Sequence, residues 1–145
     1  MGSRRGSTLF ELLTVIVVVG IFAAVAVPGA AHVRSSVSAG QGARRLALVL
    51  RAAQAESQSR LQRVRVHVSA GGDYTVTGAH AGLLMSGELG TAVESTYPDG
   101  ELEFSERGWA ALPGSPSPRA GHFTLTGGAS SSVVTIQLSG CVRCA

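Results

Sequence analysis

Hydrophobic positions are distributed very unevenly along the chain. Nearly every residue from 9 to 27 is apolar, and the charge and the hydroxyl within this run belong to Glu11 and Thr14. At about 1.5 Å per residue such a helix reaches about 28 Å, which matches a bilayer hydrocarbon core of about 30 Å. Arg4 and Arg5 precede the run. Basic residues at this place predict a cytoplasmic N-terminus and an extracytoplasmic remainder.

Beyond Pro28 the apolar positions recur at steps of three or four, which is typical of a helix with one buried stripe. The positions are Val33, Val37, Gly40, Ala43, Ala47, Leu50 and Leu61. Gly40 and Gly42 weaken this helix, since each costs about 1 kcal/mol relative to Ala. We therefore expect a bend around residues 38–42 and helix again from about Ala43 to Gln58.

After Arg60 the pattern changes to alternation. Val64, Val66 and Val68 alternate with basic residues, and a glycine turn leads to a second run at residues 74–78, which predicts a β-hairpin. Further strand runs at 102–104, 122–125 and 133–138 are separated by Gly, Pro and Ser clusters, the clearest loop being 112–118. The fold class is therefore α+β: a long N-terminal helix, membrane-spanning in its first half, packed on a small antiparallel sheet head.

Three interpretations compete for the apolar N-terminal run. A secretory signal peptide fits the basic start and the small residues Ala24 and Ala26, and an uncleaved signal anchor fits its length. Neither explains Glu11, because a carboxylate at the centre of a membrane helix costs roughly 2.5 to 3.5 kcal/mol and usually has a partner. The third interpretation rests on the residues around Glu11.

The run GSTLFELL at residues 6–13, continued to Pro28, closely resembles the class III signal of type IV pilins and type II secretion pseudopilins. The resemblance implies that a prepilin peptidase cleaves between Gly6 and Ser7 and that the new terminus, Ser7, is N-methylated; most family members have Phe there. It also implies that Glu11 pairs with the terminal amine of a neighbouring subunit during assembly. Pro28 matches a family proline at which the helix can kink.

The resemblance divides the chain into four parts. They are a prepilin leader at 1–6, a transmembrane and filament-core helix at 7–28, an amphipathic helix at 29–59 and an antiparallel β head at 60–145. Within the head, AAQAES at 52–57, FSERG at 104–108 and GCVR at 140–143 look like the minor pseudopilin branch typified by GspH and FimT. FimT-type proteins carry two arginines for DNA binding in the closing segment; here Cys141 stands at the first position and Arg143 at the second.

Charge is modest overall, at a formal +3, and locally uneven. Arginines dominate between residues 34 and 65, where they could contact DNA phosphates or lipid headgroups, or simply form a solvated face with subunit contacts. An acidic patch follows, formed by Glu94, Asp99, Glu101, Glu103 and Glu106. Glu101 and Glu103 alternate on one strand face, which predicts solvent exposure. Attraction to arginines of a neighbouring subunit is favoured over a Ca²⁺ site.

Cys141 and Cys144 are the only cysteines, so one intramolecular disulfide is available to an exported chain. The pair is too small for a structural zinc site. The histidines share no spacing and no nucleophile motif occurs, so we expect no metal, no cofactor and no enzymatic activity.

The sequence therefore predicts a minor pilin or pseudopilin that assembles into, or primes, a type II secretion pseudopilus or a type IV pilus. Its expected location is the bacterial inner membrane, single-pass, with the head in the periplasm. Expected partners are other pilin or pseudopilin subunits, prepilin peptidase and inner-membrane lipid. Two alternatives stay open: a DNA-binding minor pilin for uptake, with nucleic acid as partner through Arg143, and a cleaved, secreted β-rich binding protein.

Overall fold

A computed structural model describes the backbone of residues 5–128 and 130–145, and the side chains of residues 10–21, 39–128 and 130–145. The chain divides into two compact units, Met1–Arg34 and Ser35–Ala145. One long helix, α1 (Arg5–Ser59), precedes all the strands. Among the residues described, no helix contains a segment long and apolar enough to cross a membrane.

Within the residues described, nine short strands and one 3-10 turn follow the helix. The strands are β1 (Val64–Val68), β2 (Asp73–Gly78), β3 (Gly82–Glu88), β4 (Ala92–Ser95), β5 (Glu101–Phe104), β6 (Ala110–Ala111), β7 (Gly121–Gly127), β8 (Ser130–Ile136) and β9 (Val142–Cys144), with the turn at Pro98–Gly100. They form a five-stranded sheet in the order β3-β2-β1-β5-β6 and a four-stranded sheet in the order β4-β7-β8-β9. The α+β class predicted from the sequence is confirmed, with two antiparallel sheets where a single one was expected.

The second unit is organised around the C-terminal part of α1. Its small and aliphatic residues at positions 43, 46, 47, 50 and 53 are buried, and they share one contiguous core with the inward side chains of both sheets. Val64 and Val66 of β1 are fully buried, as are Phe123 and Leu125 of β7. Alternation along β1, β2 and β7 thus places apolar side chains in the core and leaves the intervening ones more exposed.

Gly42 is a point of close approach between helix and strands. A Cβ atom at this position would lie 2.9 Å from Thr91 Oγ1 and 3.1 Å from Leu125 Cδ2. The helix continues through Gly40 and Gly42, and the bend expected around residues 38–42 stays a prediction. At residue 42 a missing side chain permits packing, and this tertiary gain outweighs the lower helix propensity.

The predicted hairpin is confirmed: β1 and β2 pair antiparallel, with Val66 opposite Val76 and Val68 opposite Tyr74. The runs at 102–104 and 122–125 lie in β5 and β7, and the run at 133–138 begins within β8. Strand β3 was missed because its side chains show no alternation of buried and exposed positions. The short strands β4, β6 and β9 carry too few residues for a period to be read.

Candidate assembly site

The N-terminal part of α1 presents apolar side chains on all sides. Within residues 10–21, the large apolar residues range from 44% exposed at Val18 to 75% exposed at Phe10. They are Phe10, Leu12, Leu13, Val15, Ile16, Val17, Val18, Val19 and Ile21. Exposed apolar surface of this extent marks a protein or membrane interaction site.

Glu11 lies within this apolar surface. Its side chain is exposed and lines a shallow depression with Phe10, Thr14 and Val15. The Thr14 hydroxyl donates a hydrogen bond of 2.8 Å to the carbonyl oxygen of Phe10 and is thereby satisfied within the helix. No described side chain forms an ion pair with the Glu11 carboxylate.

Three of the predicted assembly residues lie outside the described side chains. Gly6, Ser7 and Pro28 fall in the parts of α1 for which the structure describes the backbone alone. The predicted cleavage and methylation at Gly6 and Ser7, and the predicted kink at Pro28, therefore stay predictions. The leader at 1–6 likewise falls largely outside the described residues.

Glu103 is buried in the head, contrary to the exposure expected from the strand pattern. It is 7% exposed and lies in β5 directly opposite Arg65 of β1. Its Oε1 is 3.2 Å from Arg63 Nη1, and its Oε2 is 3.5 Å from Arg65 Nη2. A carboxylate can be buried here because two guanidinium groups cover it, each itself about half exposed. Glu103 therefore pairs with arginines of its own chain, and for the other acids of the patch the attraction to a neighbouring subunit stays a prediction.

The arginine-rich stretch is less available than its sequence indicates. Besides Arg63 and Arg65, Arg60 pairs with Glu56 one helical turn earlier. The guanidinium of Arg51 donates a 3.0 Å hydrogen bond from Nη2 to the carbonyl oxygen of Val142. Most of these arginines therefore stabilise the head, which reduces the charge that could bind phosphates.

The C-terminal segment is attached to α1 by two side chains that the sequence did not single out. In addition to the bond from Arg51 to Val142, Gln54 Nε2 donates to the carbonyl oxygen of Ser139, shortly before β9, at 3.5 Å. The same Nε2 donates to the carbonyl oxygen of Gly108, in the turn between β5 and β6, at 2.9 Å. Arg143 is exposed on β9 opposite Thr135. Cys141 and Cys144 are both exposed and carry free thiols. The predicted disulfide stays a prediction.

A concave surface lies where β5 and β6 meet the loop at 112–118. Its cavity of about 240 Å³ is lined by Arg63, Glu103, Ser105, Glu106, Arg107, Trp109, Ala111, Ser115, Pro116 and Pro118. Trp109 is 40% exposed, and the Arg107 guanidinium carbon lies 5.6 Å from the centre of its ring. A Trp held by a cation–π contact and bordered by prolines can anchor a partner side chain.

Tyr97 is the titratable group with a large shift in the described part of the chain. Its ring is buried against Phe123, with ring centres 5.6 Å apart, and its hydroxyl donates to the carbonyl oxygen of Arg119 at 3.3 Å. Burial raises the pKa of Tyr97 to about 12, and the positive charge of Arg119 opposes this in part. The group is structural, since its ring belongs to the hydrophobic core of the head.

No metal centre is apparent in residues with described side chains, where no group of three or more His, Cys, Asp or Glu could hold an ion. The acidic patch is split by the fold. Glu103 is buried under its arginines, whereas Glu94 and Asp99 line a separate open cleft with His67 and Tyr97. What the arrangement offers is contact surface: an apolar helix with one carboxylate, and a head with an exposed aromatic anchor.

Comparison with known proteins gives three findings. The sequence profile described as Type II transport protein GspH matches residues 42–140. The type IV minor pilin FimU of Pseudomonas aeruginosa superposes with a TM-score of 0.58 at 15% identity, covering 70% of this chain and 84% of FimU. The minor pseudopilin EpsH from the type 2 secretion system of Vibrio cholerae gives 0.57 at 15% identity, covering 74% and 96%. At these identities the two structures establish the fold. No curated protein sequence matches the chain significantly.

Proposed function

We propose that this chain, which belongs to the GspH family of type II transport proteins, is a minor pilin or pseudopilin. In this proposal it assembles into or primes the filament of a type II secretion system or a type IV pilus. It acts as a structural subunit without a cofactor. The observation that carries the proposal is the exposed apolar surface of residues 10–21 with Glu11 as its single charge.

The energetics of this surface favour burial in a lipid or protein environment. Each large apolar side chain contributes about 1.5 to 3 kcal/mol when fully buried. The cost of placing Glu11 in a bilayer is roughly 2.5 to 3.5 kcal/mol at the centre and less near the surface. The free energy gained by burying the apolar side chains therefore exceeds the cost of burying the carboxylate. In this proposal residues 7–28 span the inner membrane before assembly, with the head in the periplasm, and then join the filament core.

Glu11 gives the assembly its register. Prepilin peptidase removes residues 1–6 by cleaving between Gly6 and Ser7, and the methylated amine of Ser7 in one subunit pairs with Glu11 of the next. A buried carboxylate is stable when an opposite charge neutralises it and is costly when that charge is removed. Pro28 allows the helix to bend where it leaves the membrane.

The head then offers its outer surface to other subunits. Trp109 and Arg107 are of the residue types that most often dominate binding energy at interfaces, and they border the concave surface near β6. The DNA-binding alternative has less support, because Arg51, Arg60, Arg63 and Arg65 are engaged within the chain. A salt titration of DNA binding tests it, since phosphate contacts predict a steep fall of affinity with salt.

The decisive experiment on the N-terminus is mass spectrometry of the mature chain. Cleavage by prepilin peptidase predicts a first residue of Ser7 with one additional methyl group. A chain beginning near Val27 would instead identify a freely secreted protein and would overturn the proposal.

The role of Glu11 is tested by Glu11→Ala, with the fraction of the chain in sheared filaments as the readout. We expect incorporation to fall at least about tenfold, because the amine of the neighbouring subunit loses its counter-charge. A tenfold change corresponds to a loss of about 1.4 kcal/mol in the free energy of association. Glu56→Ala, which removes an acid that pairs with Arg60 within the head, is the matched control and should incorporate normally. Normal incorporation of Glu11→Ala would contradict the docking mechanism.

A further inference from the structure

The two cysteines border the last strand in a way that prevents them from reaching each other. Cys141 immediately precedes β9 and Cys144 ends it. An extended chain rises about 3.3 Å per residue, so their Cα atoms are about 10 Å apart. A disulfide requires Cα atoms no more than about 7 Å apart. In addition, side chains three positions apart in a strand point to opposite faces.

Strand β9 is held by few contacts. It lies at the edge of its sheet and pairs with β8 alone. Val142 is its single buried side chain, at 4% exposure, while Cys141, Arg143 and Cys144 are exposed. The flanking backbone bonds run from Gln137 N to the Cys141 oxygen at 3.0 Å and from Ala145 N to the Val133 oxygen at 2.9 Å. Segments with so few buried contacts open locally more often than the core does.

We propose that Cys141 and Cys144 form a redox-operated lock on the C-terminal strand: the dithiol form allows β9 to dock on β8, and the disulfide form holds β9 away from the sheet. Closing the bridge requires a turn at 141–144, which is incompatible with the pairing of Ile136 with Val142 and of Val134 with Cys144. Release also breaks the bond from Arg51 to Val142. It leaves an unpaired β8 edge that can accept a strand from a partner. The inference does not depend on filament assembly.

The chemistry proceeds in two steps that the fold separates. An exposed cysteine thiolate attacks the disulfide of an oxidant, such as oxidised glutathione, forming a mixed disulfide and releasing one equivalent of the reduced thiol. The second cysteine then attacks the protein sulfur of that mixed disulfide and expels the second equivalent. Overall, two protein thiols lose two electrons and two protons, which the oxidant gains. The first step can occur on docked β9, whereas the second must wait for β9 to open.

The test follows the full chain in detergent micelles after addition of oxidised glutathione. Quenched samples are analysed by mass spectrometry for the mixed disulfide and the closed disulfide. We expect the mixed disulfide to accumulate in the folded chain and to close about tenfold or more slowly than in urea, where no strand restricts closure. Equal closure rates in the two conditions, or no closure at all in the folded chain, would overturn the proposal.

Variants of the strand's attachment sharpen this test. Arg51→Gln removes the hydrogen bond to the Val142 carbonyl oxygen, and Val142→Ala truncates the one buried side chain of β9. Both variants should therefore accelerate formation of the disulfide in the folded chain. Arg44→Gln changes an exposed arginine of the same helix and should leave the closure rate unchanged. If Arg44→Gln accelerates closure as much as Arg51→Gln does, the effect is not local to β9 and the proposal fails.

Amide hydrogen exchange identifies the released strand directly. In the closed disulfide form the amides of Val133, Gln137 and Ala145, which bond across β8 and β9, should exchange faster, while those of β1 and β2 should not change. The Cys141→Ser, Cys144→Ser double variant should show the slow exchange under both redox conditions. Retained protection of these amides in the disulfide form would mean that β9 stays docked and would refute the lock.

Discussion

The two ends of the long helix α1 use apolar residues in opposite ways. In residues 10–21 the large apolar side chains are at least 44% exposed, whereas Leu46, Leu50 and Ala53 are 0% exposed. The later segment intersperses these buried positions with exposed Arg44, Arg45 and Leu48. Its apolar residues form a stripe that the sheets of the head cover. The earlier segment is apolar on all sides.

The difference indicates which surroundings each helix segment requires. An amphipathic helix is complete once its stripe is covered, and the head of this chain supplies that cover. A helix that is apolar all round requires surroundings that are apolar all round, such as lipid or a bundle of similar helices. The described residues do not provide them. In the proposed function, folding of the head depends on the later segment and assembly on the earlier one, so mutations should separate the two processes.

The largest effect is expected from Ile16→Asp in the exposed apolar segment. A second carboxylate here costs roughly 2.5 to 3.5 kcal/mol in a membrane helix and has no counter-charge, so the chain should be lost from both membrane and filament fractions. Urea unfolding of the head, followed by fluorescence of Trp109, the one Trp, should be unchanged. Ile16→Leu should behave like the parent. Head destabilisation by Ile16→Asp would show that folding and assembly are not separable.

A pair of leucines on one helix tests the opposite side of the comparison. Leu50→Ala removes a fully buried side chain and should lower the free energy of unfolding by about 2 to 5 kcal/mol. Leu48→Ala changes a leucine that is 64% exposed and should alter it by no more than about 0.5 kcal/mol. Denaturant titration of both variants gives the result. Equal losses would mean that the outer helix face is also covered in the isolated chain.

Alkaline pH should destabilise the head through Tyr97. Its folded pKa is raised to about 12 from 10.0, so the folded state retains the proton when the unfolded state has lost it. This contribution to stability is therefore complete well below pH 10 and falls by about 2 kcal/mol as pH rises to 12. Unfolding titrations at several pH values measure this slope. Tyr97→Phe should flatten it, and an unchanged slope in that variant would assign the effect to other groups.

The smallest effect is expected from the buried ion pair. Glu103→Gln removes the charge between Arg63 and Arg65 and should cost about 1 to 2 kcal/mol, since both arginines are half exposed and can be solvated. Glu101→Gln, on the same strand and only partly buried, is the control and should be nearly neutral. Similar losses for both variants would show that Glu103 behaves as a surface residue.

Local patterns predicted much of the fold. The β1–β2 hairpin followed from alternating valines and a glycine turn, which depend on neighbouring residues alone. The packed part of α1 followed from apolar steps of three and four. In contrast, β3 lies on an edge with no buried face to impose alternation, so its sequence carries no period. The division into two sheets depends on which strands meet, and no local pattern specifies that.

The candidate site residues show the same contrast between what local sequence predicts and what depends on long-range contacts. Glu11 was identified from sequence because a carboxylate in an apolar run is anomalous without any knowledge of the fold. Glu103 was assigned to solvent because strand alternation places it outward, and only the pairing of β5 with β1 brings Arg65 opposite to it. Gly42 was interpreted as a weak point of the helix, and only the fold shows that Thr91 and Leu125 pack against it. Arg51 looked like part of a basic stripe until its bond to Val142 was seen.

What the sequence determined by itself is the chemistry that neighbours along the chain create: an apolar helix with one acid, an amphipathic continuation and a hairpin. What the tertiary structure decided is which charges are neutralised and which glycine lies at a close contact. The physical reason is that periodicity and composition act over a few residues, whereas burial and pairing depend on residues tens of positions apart. Proximity between such residues exists only after the chain has folded.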